Sequence, residues 1–361
     1  MIDLASVRKI LVIKPRAIGD VLLSTPVLAN LRRFFPAAKI SFLAEKGGAA
    51  VLSGNPWLDE VLLLEKNAWS RIKLLARVRQ QCFDLVLDLF SNPATALFTL
   101  LSGAPIRVGF AFRHRRFGYT IAALPRGGEI HNVEFNLDAL RALGLVAERI
   151  EPRVFLSTDE RAFARAFIEK HNLARMKKIF SSRKNTPLIG FSIGGGWQTK
   201  RWLAAYYVKL GKRIVEEFGA SIMLLYGPGE EQEAKEIADG IGAGAILPPV
   251  VTVRQLAALA EVCHLVVSND TGPMHIAAAV GTPVLAIFGP TRPELQGPVG
   301  SYHRIVRNET VNCLGCNLTK CPIGNICMTE LYPDKVFEEF LQLYRQTKER
   351  VHDRVNVEKY L

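Results

Sequence analysis

From its amino terminus the chain alternates short apolar runs with amphipathic stretches. KILVIKP reads as a buried strand, and GDVLLSTPVLANLRRFF after it spaces its apolar residues as a helix does. AKISFLAE, DEVLLLE, DLVLDLF and IRVGF follow as strands, with the helical WSRIKLLARVRQQCF among them. Strands alternating with helices of about 10–15 residues predict βαβ units and a parallel sheet. A further helical stretch, TDERAFARAFIEKHN, runs into MKKIFSSRKNTP, which is polar, basic and closed by a proline, and is read as an interdomain linker over 176–187. The alternation then repeats: PLIGFSIG, ASIMLLYG, AILPP, HLVVSND and PVLAIFG as strands, then a Cys-bearing loop and the long amphipathic helix PDKVFEEFLQLYRQTKERVHDRV. The expected fold class is α/β. A Rossmann-like domain over 1–175 faces a second over 188–332 across a cleft, and the helix of 333–361 packs back towards the first domain. Ligands of such doubly wound sheets bind outside the carboxyl ends of the strands, so the informative residues should stand just after strands.

Composition agrees with this picture and narrows the class. A chain of 361 residues is too long for one ordinary core, and 49% hydrophobic with 22% charged residues is globular rather than disordered. No apolar run reaches the roughly 18 residues needed to span a bilayer: AAAVGTPVLAIFG is short and broken by Gly281 and Pro283. MIDLASVRKILVIKP carries no cleavage signature and flows directly into a strand, so a soluble cytoplasmic protein is expected. The net charge of +12 is uneven: residues 1–180 hold 27 Lys and Arg against 16 Asp and Glu. Its densest part, IRVGFAFRHRRFGYTIAALPR, carries Arg107, Arg113, Arg115, Arg116 and Arg126 and no acid. Such a field attracts polyanions, whether nucleic acid, anionic lipid or acidic glycans, or it is a solvated basic face.

The densest chemistry lies in SNDTGPMHIAAAVGTPVLAIFGPT, residues 268–291. A buried strand runs into Asp270, Thr271, Gly272 and Pro273, and a helix begins with Met274 and His275 in its first turn. Gly272 permits close backbone approach, and Pro273 suits a first helical turn, whose N–H is unpaired in any case. The free N–H groups and the positive dipole end make an anion site, to which Thr271 and His275 add donors. Asp270 cannot favour a phosphate; it orients donors or caps the helix. A bare Asp-Thr-Gly is equally a well-capped helix with a core-facing histidine.

The whole stretch resembles the corresponding corner of glycosyltransferase family 9, the bacterial heptosyltransferases of the lipopolysaccharide inner core. Three more segments resemble the family in the same order: KILVIKPRAIGDVLLSTPVLANLR, FSIGGGWQTKRWLAAYYVKL and LLYGPGEEQEAKEI. The resemblance covers nearly the whole chain. It implies a two-domain GT-B fold, with the donor nucleotide held mainly by the C-terminal domain and ADP-heptose as donor. It implies that Asp20, in IGDVLLSTP, is the general base of an inverting transfer; the rival role of Asp20 is a helix cap. It places Lys200 and the hydroxyl of Thr199 on the donor phosphates, and Glu230 or Glu231, with Glu230 favoured, on the ribose hydroxyls. Met274 and its backbone would pack against the base.

The chain contains no Asp-x-Asp pair for a divalent metal, so Lys200, helix dipoles and backbone N–H groups take over its work and the transfer is expected to be metal-independent, with no cofactor required. Arg107, Arg113, Arg115 and Arg116 would meet the carboxylates and phosphates of a Kdo–lipid A type glycolipid. The expected protein is a monomer, peripheral at the anionic inner face of the inner membrane, with no nucleic-acid partner.

CLGCNLTKCPIGNIC places Cys313, Cys316, Cys321 and Cys327 within fifteen residues, either as a structural zinc site or as reduced structural thiols, and Cys82 and Cys263 read as core residues. A nucleotide-sugar isomerase or hydrolase of the same architecture has no use for the basic face. A nucleic-acid module, for which Phe110, Phe112, Phe117 and Tyr119 interleave with the arginines, leaves the Asp20, Lys200 and Asp270 corners without a purpose. A dinucleotide oxidoreductase is rejected, because GGGWQTK is not a GxGxxG fingerprint and Tyr226-Gly227 stands where the acidic partner belongs.

Overall fold

The hydrophobic runs become strands because each is apolar on both faces and just long enough to cross a sheet covered on both sides. The computed structural model describes residues 4–65, 67–112, 115–126, 128–176 and 187–358, with 172–176 and 348–358 as backbone only. Its first sheet contains β1 (Lys9–Ile13), β2 (Lys39–Ala44), β3 (Glu60–Leu63), β4 (Leu85–Asp88), β5 (Ile106–Phe110) and β6 (Ile121–Ala123). They lie parallel in the order β3-β2-β1-β4-β5-β6. The second contains β7 (Leu188–Ser192), β8 (Ser221–Leu225), β9 (Ala245–Ile246), β10 (Leu265–Asn269), β11 (Val284–Ile287) and β12 (His303–Val306). These too are parallel, in the order β12-β11-β10-β7-β8-β9. Both sheets therefore wind identically, and the strand order reverses between β1 and β4 and again between β7 and β10. Those two reversals are where the chain leaves room for a ligand.

The crossovers of the first sheet are α1 (Ile18–Leu22), α2 (Thr25–Phe34), α3 (Lys46–Leu52), α4 (Ala68–Gln81) and α5 (Pro93–Leu101), and α6 (Asn132–Arg141) follows its last strand. After them come α7 (Thr158–Met176), α8 (Ala204–Phe218), α9 (Glu231–Ile241), α10 (Val253–Glu261), α11 (Gly272–Ala279), α12 (Pro293–Gln296), α13 (Ile326–Thr329) and α14 (Pro333–Glu358). Local chemistry starts several of them. Asn67 caps α4 by accepting from the Trp69 N–H, Asn92 and Thr95 form a capping box on α5, and Thr252 and Gln255 form one on α10.

The structure departs from the sequence expectation at three places. The chain divides into compact units at 1–155 and 156–361, ahead of α7 rather than at 176–187, of which 177–186 lie outside the described residues. The physical reason is that α7 belongs to the second unit: Arg161 pairs with Glu261 at 2.9 Å, and Arg254 with Glu160 at 2.6 Å. The carboxyl-terminal helix α14 packs on its own unit. Val336, Phe337, Phe340, Leu343 and Tyr344 form one helical stripe buried in the second core, against Phe218 of α8, with the Arg213 guanidinium 3.7 Å from the Phe337 ring. Truncating such a buried phenylalanine costs about 3–5 kcal/mol, so this helix is an integral layer of the domain. Third, Cys82 is the exposed, left-handed C-cap of α4 (φ 50°), whereas Cys263 is buried and its thiol is pushed up by that burial.

The edge strand β12 carries a pH-sensitive contact. His303 Nδ1 accepts from the Val284 N–H at 3.1 Å, and its Nε2 lies 3.1 Å from Val299 O, which sets the neutral, Nε2-protonated imidazole. Burial lowers its pKa from the usual 6.5 to about 4, partly offset by the Val299 contact. A depressed folded value means that the unfolded chain binds the proton first. The contribution of His303 is thus complete above about 6.5 and is lost as pH falls through about 4. The loss is expected to reach about 2–3 kcal/mol. Urea midpoints at pH 7.5 and 4.5 check it: His303→Gln should lose distinctly less stability between the two pH values than the parent protein.

Candidate active site

The reversal between β7 and β10 gathers most of the donor-side residues. Asp270 follows β10 and is only 5% exposed. Its Oδ2 accepts from Lys200 Nζ at 2.7 Å, Thr291 Oγ1 at 2.6 Å and Gln296 Nε2 at 3.3 Å. Asp270 therefore orients donors rather than capping α11. The N-cap of α11 is Thr271, whose side chain makes no cap bond. Its buried Oγ1 has no hydrogen-bond partner among the described residues, although buried hydroxyls are paired almost everywhere in folded proteins. Gly272 and Pro273 open the helix, so its free N–H groups and dipole act beside that hydroxyl. The corner thus places a spare hydroxyl donor beside the N–H groups of a helix start.

The loop after β7 closes the other side. Asn269, fully buried, donates to Ile193 O at 2.7 Å and Gly194 O at 3.0 Å and accepts from the Trp202 N–H and the Tyr207 hydroxyl. All its capacity goes into fixing the glycine loop. Glu230 Oε1 accepts from the Gly195 N–H at 3.2 Å, and Oε2 from the Gly227 N–H at 2.9 Å. A Cβ on Gly194 would stand 2.2 Å from Glu230 Oε1, so only glycine lets the carboxylate sit there. Glu231 turns instead to the Gly229 N–H, which separates the two acids: Glu230 is the one on the loop. Arg201 braces the same loop through Gly195 O at 3.0 Å, with Glu233 and Glu230 as its ion-pair partners. Lys200 Nζ lies 4.6 Å from the centre of the Trp197 ring.

Two donor-side expectations change. Thr199 is buried and its hydroxyl donates to Leu318 O at 2.8 Å, so it ties down the Cys-bearing loop and its proton does not face the corner. Met274 has no exposed surface, so its side chain fills the core under the corner and is closed to a base; His275 is buried beside it.

In the first unit, the reversal between β1 and β4 gathers a second polar group. Asp20 stands in the first turn of α1, half-buried, and its Oδ2 accepts from the Ala17 N–H at 3.1 Å. One carboxylate oxygen thus serves the turn. Lys14, at the end of β1, is buried, with Nζ donating to Leu89 O at 2.9 Å and Asn136 Oδ1 at 3.4 Å, while Asn136 donates to Leu23 O. Burial holds the Lys14 pKa below its ordinary value, against the nearby Asp20 and Asp88 carboxylates, which raise it. Asp88 accepts from the Ser91 N–H at 2.8 Å and the Tyr119 hydroxyl at 2.8 Å, and burial pushes its carboxyl up.

The arginines part company. Arg107 sits near the amino end of β5 and donates to Ala104 O and Gly118 O, away from the ligand edge of the sheet. Arg115 donates to Ser91 O at 3.0 Å, at the carboxyl edge. Arg116 is exposed, and Arg113 lies outside the described residues.

The family profile described as glycosyltransferase family 9 (heptosyltransferase) matches residues 71–327. The chain belongs to glycosyltransferase family 9. The lipopolysaccharide heptosyltransferase 1 of Pseudomonas aeruginosa is 27% identical to it over 316 residues, which is 81% of either chain. Among solved structures, a family 9 glycosyltransferase from Veillonella parvula superposes with a TM-score of 0.81 at 23% identity, covering 94% of this chain and 97% of its own. An Escherichia coli heptosyltransferase solved with ADP gives 0.72 at 21% identity, covering 93% and 99%. The fold is therefore GT-B, and the two reversal-point groups belong to a glycosyltransferase.

Sequence reasoning passed over several residues of this glycosyltransferase: Lys14, Asn136, Asn269, Arg201, Thr291 and Gln296. A faint signal existed for Lys14 and Asn269, polar residues at the carboxyl ends of otherwise apolar strands. None existed for Gln296 or Asn136, which reach their partners only through tertiary contact. The four-cysteine loop is held by Gly315 N–H to Gly289 O and Asn317 N–H to Pro290 O. Its thiols are unpaired, and Cys321 Sγ accepts from the Asn325 N–H at 3.2 Å. Burial, and after it the three neighbouring thiols, push the Cys327 thiol up to about 11. Among the described residues no three His, Cys, Asp or Glu side chains converge in an arrangement that holds a metal ion.

Proposed function

We propose that this family 9 glycosyltransferase moves a heptose from ADP-heptose to the inner core of a Kdo–lipid A type lipopolysaccharide precursor, with inversion and without a metal. The observation that carries the donor half is the partnerless buried hydroxyl of Thr271 at the start of α11, beside the Lys200–Asp270 pair. A diphosphate there would receive the Thr271 hydroxyl, the α11 N–H groups and, once turned from Asp270, the Lys200 ammonium. Glu230 retains acceptor capacity for ribose hydroxyls. The relatives named lipopolysaccharide heptosyltransferases and the ADP-bound neighbour support this choice of donor and acceptor.

In the reaction, an acceptor hydroxyl attacks the anomeric carbon while Asp20 takes its proton. The bond from that carbon to the phosphate oxygen breaks with its electron pair on ADP. Lys200 and the α11 dipole stabilise the charge that develops on the leaving diphosphate. Arg115 and Arg116 are the acceptor-side cations. Donor and acceptor must meet in the reacting complex, which then stands at a cytoplasmic, peripheral membrane position.

Thermal shifts with ADP, UDP and GDP test the donor. ADP at about a hundred times its Kd should stabilise the fold by about 2.7 kcal/mol, with little response to the other two. A response to UDP or GDP alone overturns the ADP-heptose reading, and release of free sugar without any acceptor points to hydrolysis in place of transfer.

A further inference from the structure

One helix breaks the usual rule for a surface helix. α5, PATALFTLL, carries no charged residue, and its buried residues Thr95, Ala96 and Thr99 already face inward. Yet Leu97, Leu100 and Leu101 stand 48%, 38% and 39% exposed on its other side, where polar residues belong. Beside it, α4 turns Leu74 and Val78 into the core of the first sheet and leaves Trp69 and Ile72, which share a helix face, 71% and 59% exposed. Leu74, Val78 and the partly buried Phe98 of α5 pack into one cluster, so both helices cover the same side of the sheet and their outer faces look the same way. Arg79 joins the helices by donating to Leu101 O. The short turn at Arg116–Gly118 lies directly on α5, since a Cβ on Gly118 would stand 2.5 Å from Ala96 O, and it adds Phe117, 54% exposed. Among the described residues nothing covers these apolar side chains.

Charge identifies what covers it. α4 contains Arg71, Lys73, Arg77 and Arg79 and no acid. Across residues 66–126 the sequence holds ten Lys and Arg against Asp84 and Asp88. Neither acid belongs to α4 or α5: Asp84, half-buried, is taken up by the Arg8 and Lys9 N–H groups, and Asp88 is buried. A second copy of the chain would bring an equally basic face against this one, which like-charge repulsion opposes. A bilayer with anionic headgroups satisfies both halves: tryptophan and leucine enter the acyl boundary while arginine and lysine meet the headgroups. Among the described residues no helix is long and apolar enough to cross a membrane, so the contact is one of lying on the surface.

We infer that the outer face of α4 and α5, with Trp69, Ile72, Leu97 and Phe117 as its apolar anchors, docks this enzyme on an anionic lipid surface. The purpose of docking rests on a lipid-borne acceptor as proposed above, but vesicle binding and donor specificity are measured separately, so either reading can fail alone.

Sedimentation with phosphatidylcholine vesicles, with and without 30 mol % phosphatidylglycerol (a condition on the order of that in anionic leaflets), tests it on the full chain. The parent protein should bind the anionic vesicles at least about tenfold better. Trp69→Glu combined with Leu97→Glu should lose about tenfold or more of that binding. The double variant should keep the thermal response to ADP. Val146→Glu, also at an exposed apolar residue of the first unit, is the control and should bind like the parent. Trp69→Leu, a milder change, should retain binding but lose the fluorescence quenching that brominated lipid produces in the parent. Equal binding to both vesicle types, undiminished binding by the double variant, or a dimer that the same substitutions dissolve would each overturn the proposal, the last by making a second copy the occupant.

Discussion

Asp20→Asn is expected to lower the rate of sugar transfer by about a thousandfold while leaving ADP affinity within about twofold. The two halves of that expectation have separate causes. Asparagine keeps the shape of aspartate, and its side-chain oxygen can still accept from the Ala17 N–H, now met at 3.1 Å, so α1 and the turn before it should fold as before. What asparagine lacks is a basic site for the proton of the attacking hydroxyl. The proposed ADP site is at the other reversal point, around Lys200 and Thr271, and has no reason to sense the change. Turnover at saturating donor, calorimetric ADP binding and the Tm of the variant decide the matter together. Full activity removes Asp20 from the chemistry; lost activity with a collapsed Tm assigns it to the helix start instead.

Lys200→Ala should behave differently, lowering kcat/KM by about a hundred- to a thousandfold and ADP affinity by about tenfold together, because in the proposed mechanism the ammonium meets the diphosphate before and during departure. It should also weaken the unliganded protein. Asp270 is 5% exposed, and without Lys200 its carboxylate is left, among the described residues, with the Thr291 hydroxyl and the Gln296 amide. Breaking one partner out of a buried pair costs about 3–5 kcal/mol. Adding Asp270→Asn separates the two effects, since a neutral amide needs no counter-charge. The double variant should recover most of the stability and none of the ADP affinity. If ADP affinity returns with stability, Lys200 acts on the fold alone and its phosphate role is refuted.

The mixture of successes and misses in the sequence has a physical pattern. KILVIKP, DLVLDLF, PLIGFSIG and HLVVSND were legible as strands because a strand buried on both faces needs an unbroken apolar run, which no neighbour must supply. The edge strands Ile121–Ala123 and His303–Val306 went unread, since three or four half-buried residues leave no such run. The boundary was misplaced because the polar stretch MKKIFSSRKNTP resembles a linker, while what assigns α7 to the second unit is two ion pairs with α10, about a hundred residues away.

The same division runs through the site. Position after a strand marked the Asp270–His275 corner by itself, because a parallel sheet exposes its ligand edge there whatever the rest of the chain does, and the resemblance to family 9 added Asp20, Lys200 and Glu230 at other strand ends. Which of these residues touch was decided by the tertiary structure. Lys200 meets Asp270 across seventy positions because β7 and β10 are neighbours at the reversal; Thr199, one residue earlier on the same turn, is drawn to Leu318. Glu230 and Glu231 are indistinguishable as letters, and only the missing Cβ of Gly194 admits one of them to the loop. Local pattern determines which side chains a strand or helix presents; strand order and packing determine what they meet, and the chemistry of this enzyme resides in those meetings.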